Sequence, residues 1–177
     1  MTVTAGLVLA AGAGRRFGGP KAPAVVDDER LVDRAVRVLR AGGCPQVVVV
    51  LGAWVGEVPD ADIVVNDDWE SGMASSLRAG LSELAGRTDV DRVLVTLVDL
   101  PGLTAAAVRR LAASADELAV ATYHGDRGHP VLLGRGHWSA IADSATGDQG
   151  ARHYLQSHQV SLVEVGDVAS GLDLDQR

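Results

Sequence analysis

Two short runs that are apolar on both faces constrain this chain most: QVVVVL at 46–51 and RVLVTLV at 92–98. A strand with one wet face alternates apolar and polar residues. These runs have almost nothing to offer solvent on either side, so each belongs in a parallel sheet covered by helices above and below. The intervening segments supply the helices. Over 31–41, Leu31, Ala35, Val38 and Leu39 fall on one helical face with Arg34, Arg37 and Arg40 outside, and Gly42-Gly43 ends the helix. Residues 3–10 read as a first buried strand and 61–66 as a short third one. Residues 73–84 read as a helix with Leu77, Leu81 and Leu84 inward. Thr104 has the chemistry of an N-cap for a helix carrying Val108 and Leu111. Strands at 118–123 and 130–133, helical stretches at 137–143 and 149–158, and a last strand at 160–165 follow. This alternation predicts an α/β fold with a mostly parallel sheet, layered on both faces, in a single domain spanning 1–177.

Ligands of open α/β sheets bind outside the carboxyl ends of the strands. Three polar signals fall there: the loop after strand one, Asn66 after strand three and Asp99 after strand four. The loop is LAAGAGRRFGGPK, residues 9–21. Its glycines allow close backbone approach, and exposed N–H groups can cradle an anion. It is neither of two common phosphate loops. In a G-x-G-x-x-G fingerprint Gly12 and Gly14 fit, but Phe17 stands at the third position, and strand two ends VVLGAWVGE without a clean ribose-binding acid. No G-x-x-x-x-G-K-[ST] occurs, and Pro20 and Pro23 resist an immediate helix. A long loop carrying its own cations suits a triphosphate lying across it, with Arg16 and Lys21 on phosphate oxygens. Arg15 is as readily an ordinary solvated arginine.

Composition narrows the partners. With a formal net charge of -7 the chain lacks the basic face that general nucleic-acid binding needs. No run of about 18 apolar residues points to a membrane span, and the N-terminal stretch reads as a strand rather than a leader. Cys44 is the only cysteine, so no internal disulfide forms, and a cytoplasmic location is expected. Cys44 itself reads as a small buried filler. His124, His137, His153 and His158 show no metal-ligand spacing, and the G-x-S-x-G elbow of a serine nucleophile is missing.

The loop, NDDWESGMASSLRAGL (66–81), LVTLVDLPGLT (94–104), GHPVLLGR (128–135) and GDQGAR (147–152) occur in order. Together they resemble the signature segments of the MobA-like nucleotidyltransferases, and within them the molybdenum cofactor cytidylyltransferase (MocA-like) branch. The resemblance implies a Rossmann-like three-layer sandwich of the nucleotide-diphospho-sugar transferase type. It implies Mg²⁺-dependent transfer of a nucleoside monophosphate, CMP from CTP in this branch, to a small acceptor such as molybdopterin, with release of pyrophosphate. It places the nucleotide on Leu9, Ala10, Ala11, Gly12, Gly14, Arg16, Lys21, Asn66 and Ser76. Arg16, Lys21 and Asp99 become the catalytic set, and Gly72, His129, Asp148 and Arg152 the acceptor side. Asp99 would hold the metal, with Asp175 of the terminal DLDQR as second ligand, although the usual continuation after D-x-D is missing and a frayed acidic tail is the competing reading.

Several residues keep a second reading. Ser75 and Ser76 open a helix whose N–H groups suit an anion or serve as plain caps. Trp69 and Met73 read first as packing residues, and His129 is as readily structural. Asp148 and Arg152 either form an internal ion pair or hold the acceptor. A monomer is the default, with a molybdoenzyme-maturation protein as candidate partner. An NAD(P)-dependent oxidoreductase on the same fold and a non-catalytic nucleotide or cofactor-binding protein are the alternative functions.

Overall fold

The computed structural model describes residues 3–175. In chain order its strands and α-helices are β1 (Val3–Ala10), β2 (Val25–Val26), β3 (Glu29–Arg30), α1 (Leu31–Ala41), β4 (Val47–Leu51), β5 (Asp62–Val65), α2 (Met73–Ala85), β6 (Val90–Leu97), α3 (Ala105–Ala112), β7 (Leu118–Tyr123), β8 (Asp126–Gly134), α4 (Trp138–Ser144), α5 (Arg152–Gln156) and β9 (Ser161–Glu164). Seven strands form the main sheet in the order β5-β4-β1-β6-β8-β7-β9, and only β8 runs against its neighbours.

The two-sided strands behave as their sequence demands. Val48 and Val50 of β4 point into one core layer with Leu77, Leu81 and Leu84 of α2 and Ile141 of α4. Val47, Val49 and Leu51 point into the other, with Val32, Val36 and Leu39 of α1 and Val108 and Leu111 of α3. β1 splits the same way: Leu7 and Leu9 face the first layer, Val8 and Ala10 the second. Thr104 caps α3 as expected, its hydroxyl accepting the Ala107 N–H at 3.2 Å. Cys44 is fully buried, and burial pushes its thiol up to about 12, so it is a filler and not a nucleophile.

Several details differ from the sequence reading. Arg34 is not an outer residue. Its guanidinium is only 19% exposed, donates to the carbonyls of Pro101 and Val26, and lies 3.3 Å from Glu29, tying the β2–β3 hairpin to the loop after β6. That hairpin, turned by Asp27 and Asp28 at positive φ, is an addition to the expected elements. β8 is longer than 130–133 because a second tight turn, at His124-Gly125, pairs Tyr123 with Asp126. Glu164 pins this turn by accepting the N–H groups of His124, Gly125 and Gly166, and these donors hold its carboxyl down at about 2. The helix expected over 149–158 is confined to α5, because Gly147 and Gly150 adopt left-handed conformations upstream.

Topology sets the place of the site. The spatial order β5-β4-β1-β6 means that the chain leaves β1 toward one edge of the sheet and returns to its other side at β6. This reversal opens a crevice at the carboxyl ends of β1 and β6, where Leu9 pairs with Leu97. The glycine loop follows one strand and Asp99 the other.

Candidate active site

After Ala10 the chain does not turn into a helix. Residues 14–19 fold back on themselves, the N–H groups of both Gly18 and Gly19 donating to the Gly14 carbonyl at 2.9 and 3.0 Å. Gly14 sits at φ 59°, and a Cβ there would collide with the Gly19 carbonyl, so this turn requires glycine. The first α-helix starts only at Leu31. The geometry therefore departs from dinucleotide and Walker loops, in which the glycines deliver phosphate to a helix N-terminus.

Beneath the loop lies a cleft of about 240 Å³. Leu9, Ala10, Ala11, Gly12, Gly14, Lys21, Gly72, Ser76, Asp99 and Asp148 line it, so most residues expected to hold nucleotide share one wall-to-wall space. Lys21 Nζ donates to Asp99 Oδ2 at 3.0 Å, and the two side chains are 15% and 18% exposed. The other carboxylate oxygen, Asp99 Oδ1, is buried and has no hydrogen-bond partner among the described residues. Such an orphan is uncommon and fits a carboxylate that awaits a cation. Arg16 is placed differently. It lies exposed on the outer turn of the loop and does not line the cleft.

The C-terminal segment is docked at the loop that follows β6. Thr104 Oγ1 donates to the Val168 carbonyl, Ser170 N to Gly102 O, and Leu174 N to Asp99 O at 2.9 Å. Asp173 and Asp175 thus flank a residue bonded to the Asp99 backbone, and both are exposed. Among the described residues no group of three or more His, Cys, Asp or Glu could hold a metal by itself. A divalent ion held here would need further oxygens from substrate or water.

Asn66 contributes to the shape of the site rather than to its lining. It is 7% exposed, its amide N–H groups donate to Ser75 Oγ and Ser76 Oγ, and its carbonyl accepts the Asp68 N–H. The N-terminus of α2 is also occupied from within. Asp148 Oδ1 accepts the Met73 N–H at 3.2 Å, and the Gly147 carbonyl accepts the Ala74 N–H at 2.9 Å. Gly72, at φ 116°, allows this approach, since a Cβ would meet Asp148 Oδ1 at 2.8 Å.

A second cleft of about 510 Å³ adjoins the first and shares Leu9, Met73 and Asp148 with it. Its floor is apolar, including Val95, Val120 and Leu155, and its rim carries Arg127, His129 and Arg152. Among the described residues Asp148 pairs with the Met73 N–H, and no ion pair joins it to Arg152. Arg127 and the aromatic Tyr123, whose hydroxyl donates to the His129 carbonyl at 2.6 Å, escaped the sequence reading. The Asp-Arg-Gly-His run gives no periodic signal for Arg127, and Tyr123 acts on backbone.

His129 is partly buried in this wall. Burial pushes its imidazole down to about 4, with the charge of Asp99 opposing and that of Arg152 adding to the shift. It is therefore neutral at pH 7. A base that is harder to protonate when folded leaves the unfolded chain with more protons, so its contribution is intact above about pH 6.5 and is lost as pH falls toward 4. Urea midpoints measured between pH 7.5 and 4.5 should fall on the acid side, and His129→Gln should flatten that fall. An equally steep fall in the variant would contradict this assignment.

The MobA-like NTP transferase domain matches residues 6–162. The chain belongs to the MobA-like NTP transferase family. Among relatives of this MobA-like chain, the nicotine blue oxidoreductase of Paenarthrobacter nicotinovorans is 39% identical over 188 residues, covering 96% of this chain and 91% of that protein. The crystal structure of Rv0371c from Mycobacterium tuberculosis H37Rv has a TM-score of 0.83 at 29% identity, covering 99% of this chain and 94% of that one. The same protein has been solved in complex with manganese, with a TM-score of 0.78 over 98% of this chain and 94% of that one, at 26% identity. A nucleotidyl transferase from Methanothermobacter thermautotroptrophicus shares the fold, with a TM-score of 0.79 at 20% identity over 93% of this chain and 88% of that one. The α/β sheet with its layers of helices is thus that of the nucleotidyltransferases. No helix among the described residues is long and apolar enough to cross a membrane.

Proposed function

We propose that this MobA-like chain transfers a nucleoside monophosphate, CMP from CTP, to a small acceptor of the molybdopterin kind and releases pyrophosphate. The observation that carries the reading is the pairing of Lys21 with a half-satisfied Asp99 directly beneath the glycine loop, in a cleft that opens into a second one. Backbone around Gly12 and Gly14 receives the triphosphate, Lys21 takes phosphate oxygens from below, and Arg16 closes over them from the exposed turn. Ser76 and Gly72 bound the nucleotide on the far wall, held there by Asn66. The acceptor lies on the apolar floor of the second cleft, with His129 and Arg152 at its rim and Asp148 at the junction. An acceptor phosphate oxygen then bonds to the α-phosphorus as the bond to the bridging oxygen breaks, and pyrophosphate leaves with the electron pair.

Asp99, with Asp175 alongside, would hold the divalent ion, Mg²⁺ by preference. When bound, the ion would supply neutralisation of the charge that builds on the reacting phosphates. The manganese complex of Rv0371c supports a divalent ion here. We place the protein in the cytoplasm as a monomer that hands its product to a molybdoenzyme-maturation protein. Competition binding of the four nucleoside triphosphates is the test: CTP should bind best, equal binding of GTP would remove the cytidylyl assignment, and failure of all four would remove nucleotidyl transfer.

The name of the Paenarthrobacter relative favours a second reading, an oxidoreductase. The folded-back loop and the late first helix count against a nicotinamide cofactor. Tight NADPH binding without triphosphate binding would reverse the order.

A further inference from the structure

We propose that Lys21 is the resident counter-ion of Asp99 and that a divalent cation must displace it, so that metal and triphosphate bind this protein cooperatively. The inference rests on the metal role of Asp99 put forward above. The ammonium and the carboxylate are 3.0 Å apart, and neither side chain is more than 18% exposed. Screening by water is weak at such burial, so the pair retains much of its attraction. Asp99 Oδ1 meanwhile has no partner among the described residues, so the carboxylate can still gain from a stronger cation.

Lys21 holds Oδ2, so among the described residues Oδ1 is the oxygen left open to a divalent ion. On that oxygen the ion would share one carboxylate with the Lys21 ammonium, and two cations on one anion repel strongly in a cleft so little exposed to water. Lys21 therefore has to leave, which its flexible stem permits. The other carboxylate lining this cleft, Asp148, already accepts the Met73 N–H. A triphosphate under Gly12 and Gly14 would give the displaced ammonium new anionic partners in the same cleft. Metal alone thus loses the ion pair without replacement, whereas metal with triphosphate exchanges one partner for another. The coupling is reciprocal by thermodynamic necessity.

The experiment reads free Mn²⁺ by electron paramagnetic resonance during titration of the intact protein, with and without a non-hydrolysable CTP analogue. Lys21→Met should bind Mn²⁺ alone about tenfold more tightly than the wild type, and Lys21→Arg, which keeps the charge, should not. The analogue should tighten Mn²⁺ binding more in the wild type than in Lys21→Met. Equal or weaker Mn²⁺ binding by Lys21→Met, with Asp99→Asn abolishing it, would overturn the exchange and leave Asp99 as the metal ligand. Mn²⁺ binding that is missing throughout, or indifferent to Asp99→Asn, would overturn both.

Discussion

Asp99→Asn should lower nucleotidyl transfer by about a thousandfold, the scale of losing a charge-stabilising group at a reacting phosphate, while the protein stays folded. Asparagine keeps the size of the side chain and the backbone carbonyl that accepts the Leu174 N–H, so the tail stays docked. The substitution removes the negative charge alone. Lys21 loses its ionic partner but keeps a hydrogen-bond acceptor in the asparagine side-chain oxygen, so its ammonium is not left unpaired. Pyrophosphate release measured beside a thermal melt separates the two effects. Near-normal turnover in a folded variant would contradict the metal role of Asp99.

Asn66→Ala should act on the scaffold, costing about 2–3 kcal/mol because it strands several buried polar groups at once. Ser76 Oγ and the Asp68 N–H lose the partners that Asn66 supplies. Ser75 Oγ is partly protected, since it also reaches the carbonyls of Asp68 and Gly72. These bonds fix the first turn of α2 to the end of β5, and that turn carries Gly72 and Ser76 into the cleft. The variant should therefore also bind triphosphate more weakly. Urea unfolding gives the stability change, and a loss under about 0.5 kcal/mol would mean that the network is solvated rather than structural.

The sheet was legible because its strands announce burial on both faces: nothing but a covered parallel sheet uses QVVVVL well. The loop was legible for a related reason, since glycines at 12, 14, 18 and 19 directly after such a strand are wasteful unless something approaches the backbone. The contacts that turn these segments into a site were not legible. Lys21 and Asp99 are 78 residues apart, Met73 and Asp148 are 75 apart, and no local periodicity records either pairing. Arg34 looked like a solvated helix residue because its partners, Val26 and Pro101, are carbonyls that any sequence would offer. The docking of the tail is likewise a backbone event, Leu174 N on Asp99 O, and leaves no mark in the DLDQR sequence. Sequence read the tail as ligand or frayed end. Its backbone is docked at the loop that follows β6, while Gln176 and Arg177 lie outside the described residues.

The central claim, nucleotidyl transfer across the β1–β6 crevice, is tested most directly by following the α-phosphorus. CTP labelled at that position is incubated with the protein, Mg²⁺ and molybdopterin. Label should move to the acceptor with one pyrophosphate released per transfer, and Asp99→Asn should stop both. Label remaining on free nucleotide, with CTP and with each of the other three triphosphates in turn, would contradict it.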